Sequence, residues 1–266
     1  MSEIHIGEMC VWARAAGEIA RHYFNATRGH RKSDQSLVSQ ADLEIEQFLR
    51  ERIRDTYPNH GIIGEEQANY HIDREFVWAL DPIDGTEAFL AGLPVWCVSI
   101  GVMRDGWPYL GVVYLPATQE CYWNDAEGYA YWNDRVIHVT DAEKLSYNDW
   151  MAVPSRAHLD YQITFPKKTR SLGSLAVHCC YVARGSAPAA LLGRPNLWDI
   201  AAGLALLKTA GGVAATLPDG AALDTRPMLD GSKSANHVII APPKLIDDML
   251  EAITIVTPPA HARQPD

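Results

Sequence analysis

Residues 4–24 (IHIGEMCVWARAAGEIARHYF) place apolar side chains three or four positions apart, the spacing of an amphipathic helix. A polar, turn-like stretch follows at 28–38 (RGHRKSDQSLV). SQADLEIEQFLRERIRDTY then reads as a second helix. Ser39 and Asp42 have the spacing of a capping box at its start, and Pro58 follows its end. From residue 61 the period shortens. GIIGEE, FVWAL, VWCVSIGVM, YLGVVYLP and ECYWN predict short strands separated by Gly, Pro and Asp. Residues 134–170 read as irregular. Beyond them SLAVHCCYVARG and DIAAGLALLKTAGG suit helices, while APAALL, GGVAAT and HVIIAPP suit strands. The tail TPPAHARQPD, 257–266, has the composition of a disordered segment. Two helices, a strand-rich block and then alternating elements argue for a layered α/β fold without internal repeats.

Composition narrows the function. A chain of 266 residues that is 47% hydrophobic can bury a sizeable core, as one large domain or two tightly joined subdomains. The formal net charge is -10 and no basic run occurs, which argues against nucleic-acid and anionic-membrane partners. An acidic protein still binds phosphate where metal ions supply local positive charge. The five cysteines match no zinc or disulfide framework, and a reduced, cytoplasmic setting is expected. SEIHIGEMC lacks a signal-peptide pattern, and no apolar run approaches the ~20 residues of a membrane span.

Four short stretches carry candidate chemistry. In WALDPIDGTEAFL, Asp81 and Asp84 stand where an apolar strand ends, and ionised carboxylates are costly to desolvate there. A loop at that point could offer a hard cation both carboxylates and the Ile83 carbonyl. Pro82 would restrict its backbone, Gly85 would permit a sharp turn, and Thr86 would begin a short helix. An Asx-rich turn before a capped helix explains the same residues equally well. In GEE, Glu65 and Glu66 could supply a metal ligand and a water-positioning group, or be a solvated surface pair. Asp199, in NLWDIAAG, could be a ligand or a plain helix cap. Asp42 opens the second helix, with Lys32 in the loop before it. His178, Cys179 and Cys180 are neighbours on a helix and point apart, so they are expected in the core. The eight tryptophans, among them Trp78, Trp96, Trp107, Trp123, Trp132 and Trp198, are expected in the core or at its edge.

The order GEE, WALDPIDGT, then far downstream WDIAAG followed by AGG, resembles the inositol monophosphatase family over nearly the whole chain. That group of Mg²⁺-dependent, typically lithium-sensitive phosphatases includes fructose-1,6-bisphosphatases, histidinol-phosphate phosphatases and 3′-phosphonucleotide phosphatases. The resemblance implies an α/β (α+β) fold, a layered α-β-α-β-α sandwich commonly found as a homodimer. A single domain over 1–256 would then comprise two packed halves, about 1–140 and about 141–256. It implies two or three Mg²⁺ per site. Glu65, Asp81 and the Ile83 carbonyl would hold the first, and Asp81, Asp84 and Asp199 the second, with a weaker third near Glu65. Glu66 and Thr86 would position the attacking water, with Asp42 supporting Thr86. Gly85 and Thr86 would offer N–H groups to the phosphate. LGSLA, with Gly173, Ser174 and Ala176, matches the family's G-[ST]-x-A segment, which lines the substrate pocket.

Two departures from the family pattern stand out. Glu87 and Ala88 replace the usual residues after DGT. Leu192 stands where inositol-specific members carry a sugar-binding Glu, which shifts expectation away from myo-inositol 1-phosphate. Arg184 and Arg194 flank that segment and could serve a further anionic group, or be solvated surface. The resemblance implies a Mg²⁺-dependent phosphomonoesterase that hydrolyses a small phosphorylated metabolite, an inositol phosphate, sugar phosphate or similar, by metal-activated water. Histidinol phosphate and a nucleotide 3′-phosphate are alternative substrates. A non-catalytic metal- or phosphate-binding module is the alternative of another class.

Overall fold

The computed structural model describes residues 4–26, 30–31 and 37–256. Most of the polar 28–38 stretch, with Lys32, and the 257–266 tail lie outside them. Helices α1 (Ile6–Tyr23) and α2 (Gln40–Thr56) form where the apolar spacing predicts them. Between them, β1 (His30–Arg31) and β2 (Leu37–Val38) pair antiparallel. The α2 N-terminus closes on Asp42 Oδ2, which accepts from the Ser39 N–H at 2.8 Å and its hydroxyl at 2.5 Å.

The strand-rich block becomes one seven-stranded sheet. In spatial order it runs β3 (Gly61–Gly64), β4 (Phe76–Asp84), β5 (Cys97–Arg104), β6 (Trp107–Leu115), β7 (Glu120–Asn124), β8 (Ala130–Trp132) and β9 (Arg135–Ile137). Only β3 and β4 are parallel; the rest is an antiparallel meander. The short α3 (Thr86–Leu90) follows β4. The alternating part supplies a five-stranded sheet. Its strands are β10 (Trp150–Ala152), β12 (Lys168–Arg170), β13 (Ala189–Gly193), β14 (Val213–Leu217) and β15 (His237–Ala241), in the order β12-β10-β13-β15-β14. β11 (Tyr161–Ile163) pairs with β16 (Ile253–Ile255). The remaining helices are α4 (Ala157–Asp160), α5 (Leu175–Ala183), α6 (Leu197–Thr209) and α7 (Ile246–Glu251).

Residues 134–170 therefore are not the irregular stretch expected. They hold three-residue strands and one turn of helix, too short for a hydrophobic period to register. Their pairing with neighbours, not local sequence, makes them strands.

The layers stack as α-β-α-β-α. Helices α1 and α2 cover one face of the large sheet, α5 and α6 pack between the two sheets, and α7 lies beyond the small one. Trp78, Trp96 and Leu49 centre the outer core, and Leu197, Ile200 and Val238 the middle one. The five cysteines are free and buried, and His178 is buried beside two of them. Trp107 departs from expectation: it is 42% exposed and lies under the Arg226 guanidinium. Among the described residues no helix is long and apolar enough to cross a membrane.

Helix α6 meets the large sheet where Gly101 and Gly111 face each other on β5 and β6. A Cβ at Gly111 would lie 2.4 Å from the Ala202 oxygen and 2.7 Å from its Cα, and one at Gly101 2.6 Å from Ala201 Cβ. These are close contacts, most of them with backbone, so no rotamer change relieves them. Gly111→Ala is expected to cost about 2 kcal/mol of stability, measured by urea unfolding, because overpacking here must push the helix off the sheet. An unchanged midpoint would show that the layers slide apart freely.

Candidate active site

The strand β4 does not end at Asp81, as a loop reading of DPID expects. It continues through Asp84. Asp81 pairs with Ser99 and Asp84 with Cys97, so three steps on β4 match two on β5. One extra residue is accommodated as a bulge at Pro82–Ile83, where proline has no N–H for the ladder. The bulge has a chemical consequence. In a regular strand residues three apart point to opposite faces. Here the bulge turns Asp81 and Asp84 to the same face, toward α5 and α6. Ile83 is sent the other way, into the outer core.

Three further segments bring acids to that place. Asp199 occupies the first turn of α6, with Oδ2 accepting from Asn196 N–H at 2.8 Å and Asn196 Nδ2 at 3.2 Å. It is therefore a helix cap and a member of the acidic cluster together. Its residue surface is only half-buried, yet the carboxyl sits deep among protein atoms. Glu65 follows β3, its N–H donating to the Leu80 carbonyl at 3.3 Å. Asp42 approaches from α2 and is buried. Burial first, then the charges of Glu65, Asp84, Asp199 and Asp42, push the Asp81 carboxyl well above the ordinary range. Burial likewise raises Asp84, to about 6, and Asp199. Asp81 Oδ1 is buried without a hydrogen-bond partner.

The GEE turn is held by a pair that the sequence reading missed. Glu46 Oε2 accepts from the Glu66 N–H at 2.7 Å. Glu46 Oε1 accepts from Gln67 N–H at 3.1 Å and from Arg50 Nε at 2.7 Å. Arg50 Nη2 in turn donates to the Gln67 carbonyl at 3.0 Å. Both side chains are essentially fully buried. A Cβ at Gly64 would collide with Glu46, so the glycine admits the clamp. The i, i+4 spacing of an acid and a base on an amphipathic helix was visible in the sequence, but so are many solvated pairs.

Several expected roles change in place. Thr86 Oγ1 donates to the Ile83 carbonyl at 3.1 Å, not to Asp42, whose Oδ2 closes the α2 capping box. Ser174 and Ala176 do not line the cavity. Both are buried, and the Ser174 hydroxyl and Ala176 N–H each donate to Asp84 Oδ2 at 2.6 Å. The Leu175 N–H reaches Asp84 Oδ1 at 3.3 Å. Asp84 thus faces the start of α5, whose exposed N–H groups favour a carboxylate. Gly173, Gly85, Thr86 and Glu65 do line a cavity of ≈ 500 Å³. Leu192 is buried in the middle core and borders a neighbouring hollow. Arg184 is engaged by Glu120 and by the rings of Tyr181 and Trp132.

The donor set is oxygen-only and strongly acidic, and one of its buried oxygens lacks any partner. These features fit a hard divalent cation, although no three of the acids already form a closed cage among the described residues. The model of the inositol monophosphatase family matches residues 6–252. The chain belongs to the inositol monophosphatase family. It is 32% identical over 214 residues to the fructose-1,6-bisphosphatase/inositol-1-monophosphatase of Aquifex aeolicus, covering 76% of this chain and 81% of that one. It is 34% identical over 221 residues to the inositol-1-monophosphatase of Mesorhizobium japonicum, covering 79% and 81%. The structure of the Thermotoga maritima IMPase superposes with a TM-score of 0.80 over 93% of this chain and 95% of that one, at 24% identity, which bears on fold. The protein is accordingly a phosphatase, a phosphoric monoester hydrolase, of a generally metal-dependent family.

Two outcomes follow from the cluster. Asp84 has a folded pKa above its unfolded value, so ionising it costs stability as pH rises from about 4 through 6. In chelator, Asp84→Asn should therefore gain stability relative to the unsubstituted protein as pH rises through that window, read by thermal melts. A pH-independent difference would place the carboxyl outside the repulsive cluster. Glu46→Gln should cost about 3 kcal/mol, because it strands the buried Arg50 charge. An unaltered midpoint in urea unfolding would show that the Arg50 charge is not stranded.

Proposed function

We propose that the protein is a Mg²⁺-dependent phosphomonoesterase acting on a small phosphorylated metabolite. The observation that carries this reading is Asp81. It is a buried carboxyl with an unpartnered oxygen, surrounded by four other acids, beside an open cavity. Such an arrangement is unfavourable unless cations complete it.

In this reading Glu65, Asp81, the Ile83 carbonyl, Asp84 and Asp199 would hold two or three Mg²⁺. When bound, the ions supply the positive charge that a phosphate needs and lower the pKa of a water. The chain's own residues position the rest. The β4 bulge aims Asp81 and Asp84 at one point. Gly85, at φ 99°, turns the chain so that Thr86 starts α3 beside the cavity. A Cβ there would press on the Gly173 and Val95 carbonyls, each at 3.2 Å. Thr86, with its hydroxyl proton on Ile83, keeps its oxygen lone pairs for a water, and Glu66 stands on the clamped turn to accept that water's proton. Gly85 and Thr86, which line the cavity, would offer N–H groups to the phosphate. Water then attacks phosphorus as its proton passes to Glu66 and the ester P–O bond breaks, and the leaving oxygen takes a proton from solvent to depart as the alcohol, a step governed by positioning and charge neutralisation. Resemblance to the family is the basis for reading the working unit as a homodimer.

The test is phosphate release from inositol 1-phosphate, fructose 1,6-bisphosphate, histidinol phosphate and adenosine 3′,5′-bisphosphate, with Mg²⁺ and with chelator. Mg²⁺-dependent turnover is expected with at least one of them. Asp84→Asn should lower it by roughly a thousandfold or more, as loss of a group acting in the transition state does. A folded Asp84→Asn protein with near-normal turnover would refute the site.

A further inference from the structure

His178 lies in the core at 1% exposure, and no step of the hydrolysis described above uses it. It stands one turn into α5, whose N-cap is Ser174. Side chains on a helix lean toward its N-terminus, so the ring reaches back over the residues that precede α5. There Nε2 takes the Leu172 N–H at 3.3 Å. An amide N–H only donates, so Nε2 is the accepting nitrogen and the ring proton is on Nδ1. Burial agrees with a neutral ring, lowering its pKa to about 4. Among the described residues Nδ1 is buried without a hydrogen-bond partner. Its neighbours Val177, Cys179, Cys180 and Val182 are buried apolar side chains. An apolar residue at 178 would pack among them without an unmet N–H, which is costly in a core.

What the Nε2 bond fixes is a turn. Leu172 and Gly173 lie between β12 and α5 and line the catalytic cavity. Gly173, at φ 89°, meets the start of α3 at two places. A Cβ at Gly85 would lie 3.2 Å from the Gly173 carbonyl, and one at Gly173 would lie 3.3 Å from Ala88 Cβ. The residues after Gly173 are tied to Asp84 through Ser174, Leu175 and Ala176. The residue before it is tied to His178. Gly173 is thereby pinned from both sides, against the turn that presents Gly85 and Thr86.

We infer that His178 is a positioning residue for the hydrolysis, holding the Leu172–Gly173 turn against the start of α3 so that Thr86 keeps its place beside the cavity. This rests on the phosphomonoesterase reading above and adds a residue to it. An acceptor set inside an apolar helix carries the orphaned Nδ1 proton as its cost.

The test measures amide hydrogen exchange and turnover on the same full-length proteins. His178→Leu removes the acceptor at similar volume, and His178→Gln keeps one on a side chain of similar reach. In chelator and without substrate, exchange at the Leu172 amide should speed by about tenfold or more in His178→Leu, while Val182 and Ala183 in α5 exchange as before. With Mg²⁺ and whichever of the four esters above turns over fastest, kcat should fall by about tenfold or more and KM should stay within about threefold, because misplacing Thr86 acts on the reacting geometry. His178→Gln should recover most of both losses. His178→Met gives the same readouts should His178→Leu not fold. Unchanged exchange at Leu172 in His178→Leu, an equal rise at all three amides, an unchanged kcat, or His178→Gln faring no better than His178→Leu would each overturn the inference. A parent protein that releases phosphate from none of the esters refutes the hydrolase reading instead, and the exchange comparison alone then decides whether His178 holds the turn.

Discussion

Repulsion among buried carboxylates is the constraint around which this molecule is arranged. Asp81 sits beneath four other acids and keeps one oxygen without a partner. Left to themselves these groups would separate or take up protons. The four acids around Asp81 are instead fixed by hydrogen bonds of their own side chains, or of the turn that carries them, that serve local structure as well. Asp42 and Asp199 close the N-termini of α2 and α6. Asp84 takes the first N–H groups of α5 and the Ser174 hydroxyl. Glu65 rides on a turn fastened by Glu46 and Arg50. The fold thus stores a local electrostatic cost at the place where cations and a phosphate would relieve it.

The layered architecture supplies the stiffness this needs. The acids come from two helices, the end of one strand and a turn, separated by up to 157 positions from Asp42 to Asp199. Their convergence depends on how closely α6 lies on the large sheet, and the facing Gly101 and Gly111 set that distance. A helix held against backbone has little room to slide, so the Asp199 cap stays in register with the β4 bulge.

Much of this was readable in the chain. The helical spacing of residues 4–24, the Ser39–Asp42 box and the apolar runs from 61 onward name their elements, because local backbone preferences and a buried face act within a few residues. The motifs around Asp81, Asp84 and Asp199 also identify the acids through their resemblance to a known family. Other features needed the folded molecule. The strands within 134–170 exist because partners exist, and three residues carry no period. Glu46 and Arg50 look like any exposed helical pair until the GEE turn is laid over them. Ser174 and Ala176 were expected to face substrate, and they face Asp84 instead. What the sequence by itself determined is which residues are acidic, apolar or turn-forming, and hence the elements and the class of chemistry. What only the tertiary structure decided is where side chains point. A one-residue bulge reverses a strand's faces, and burial converts a surface acid into a repelled one. Both depend on neighbours distant in the chain.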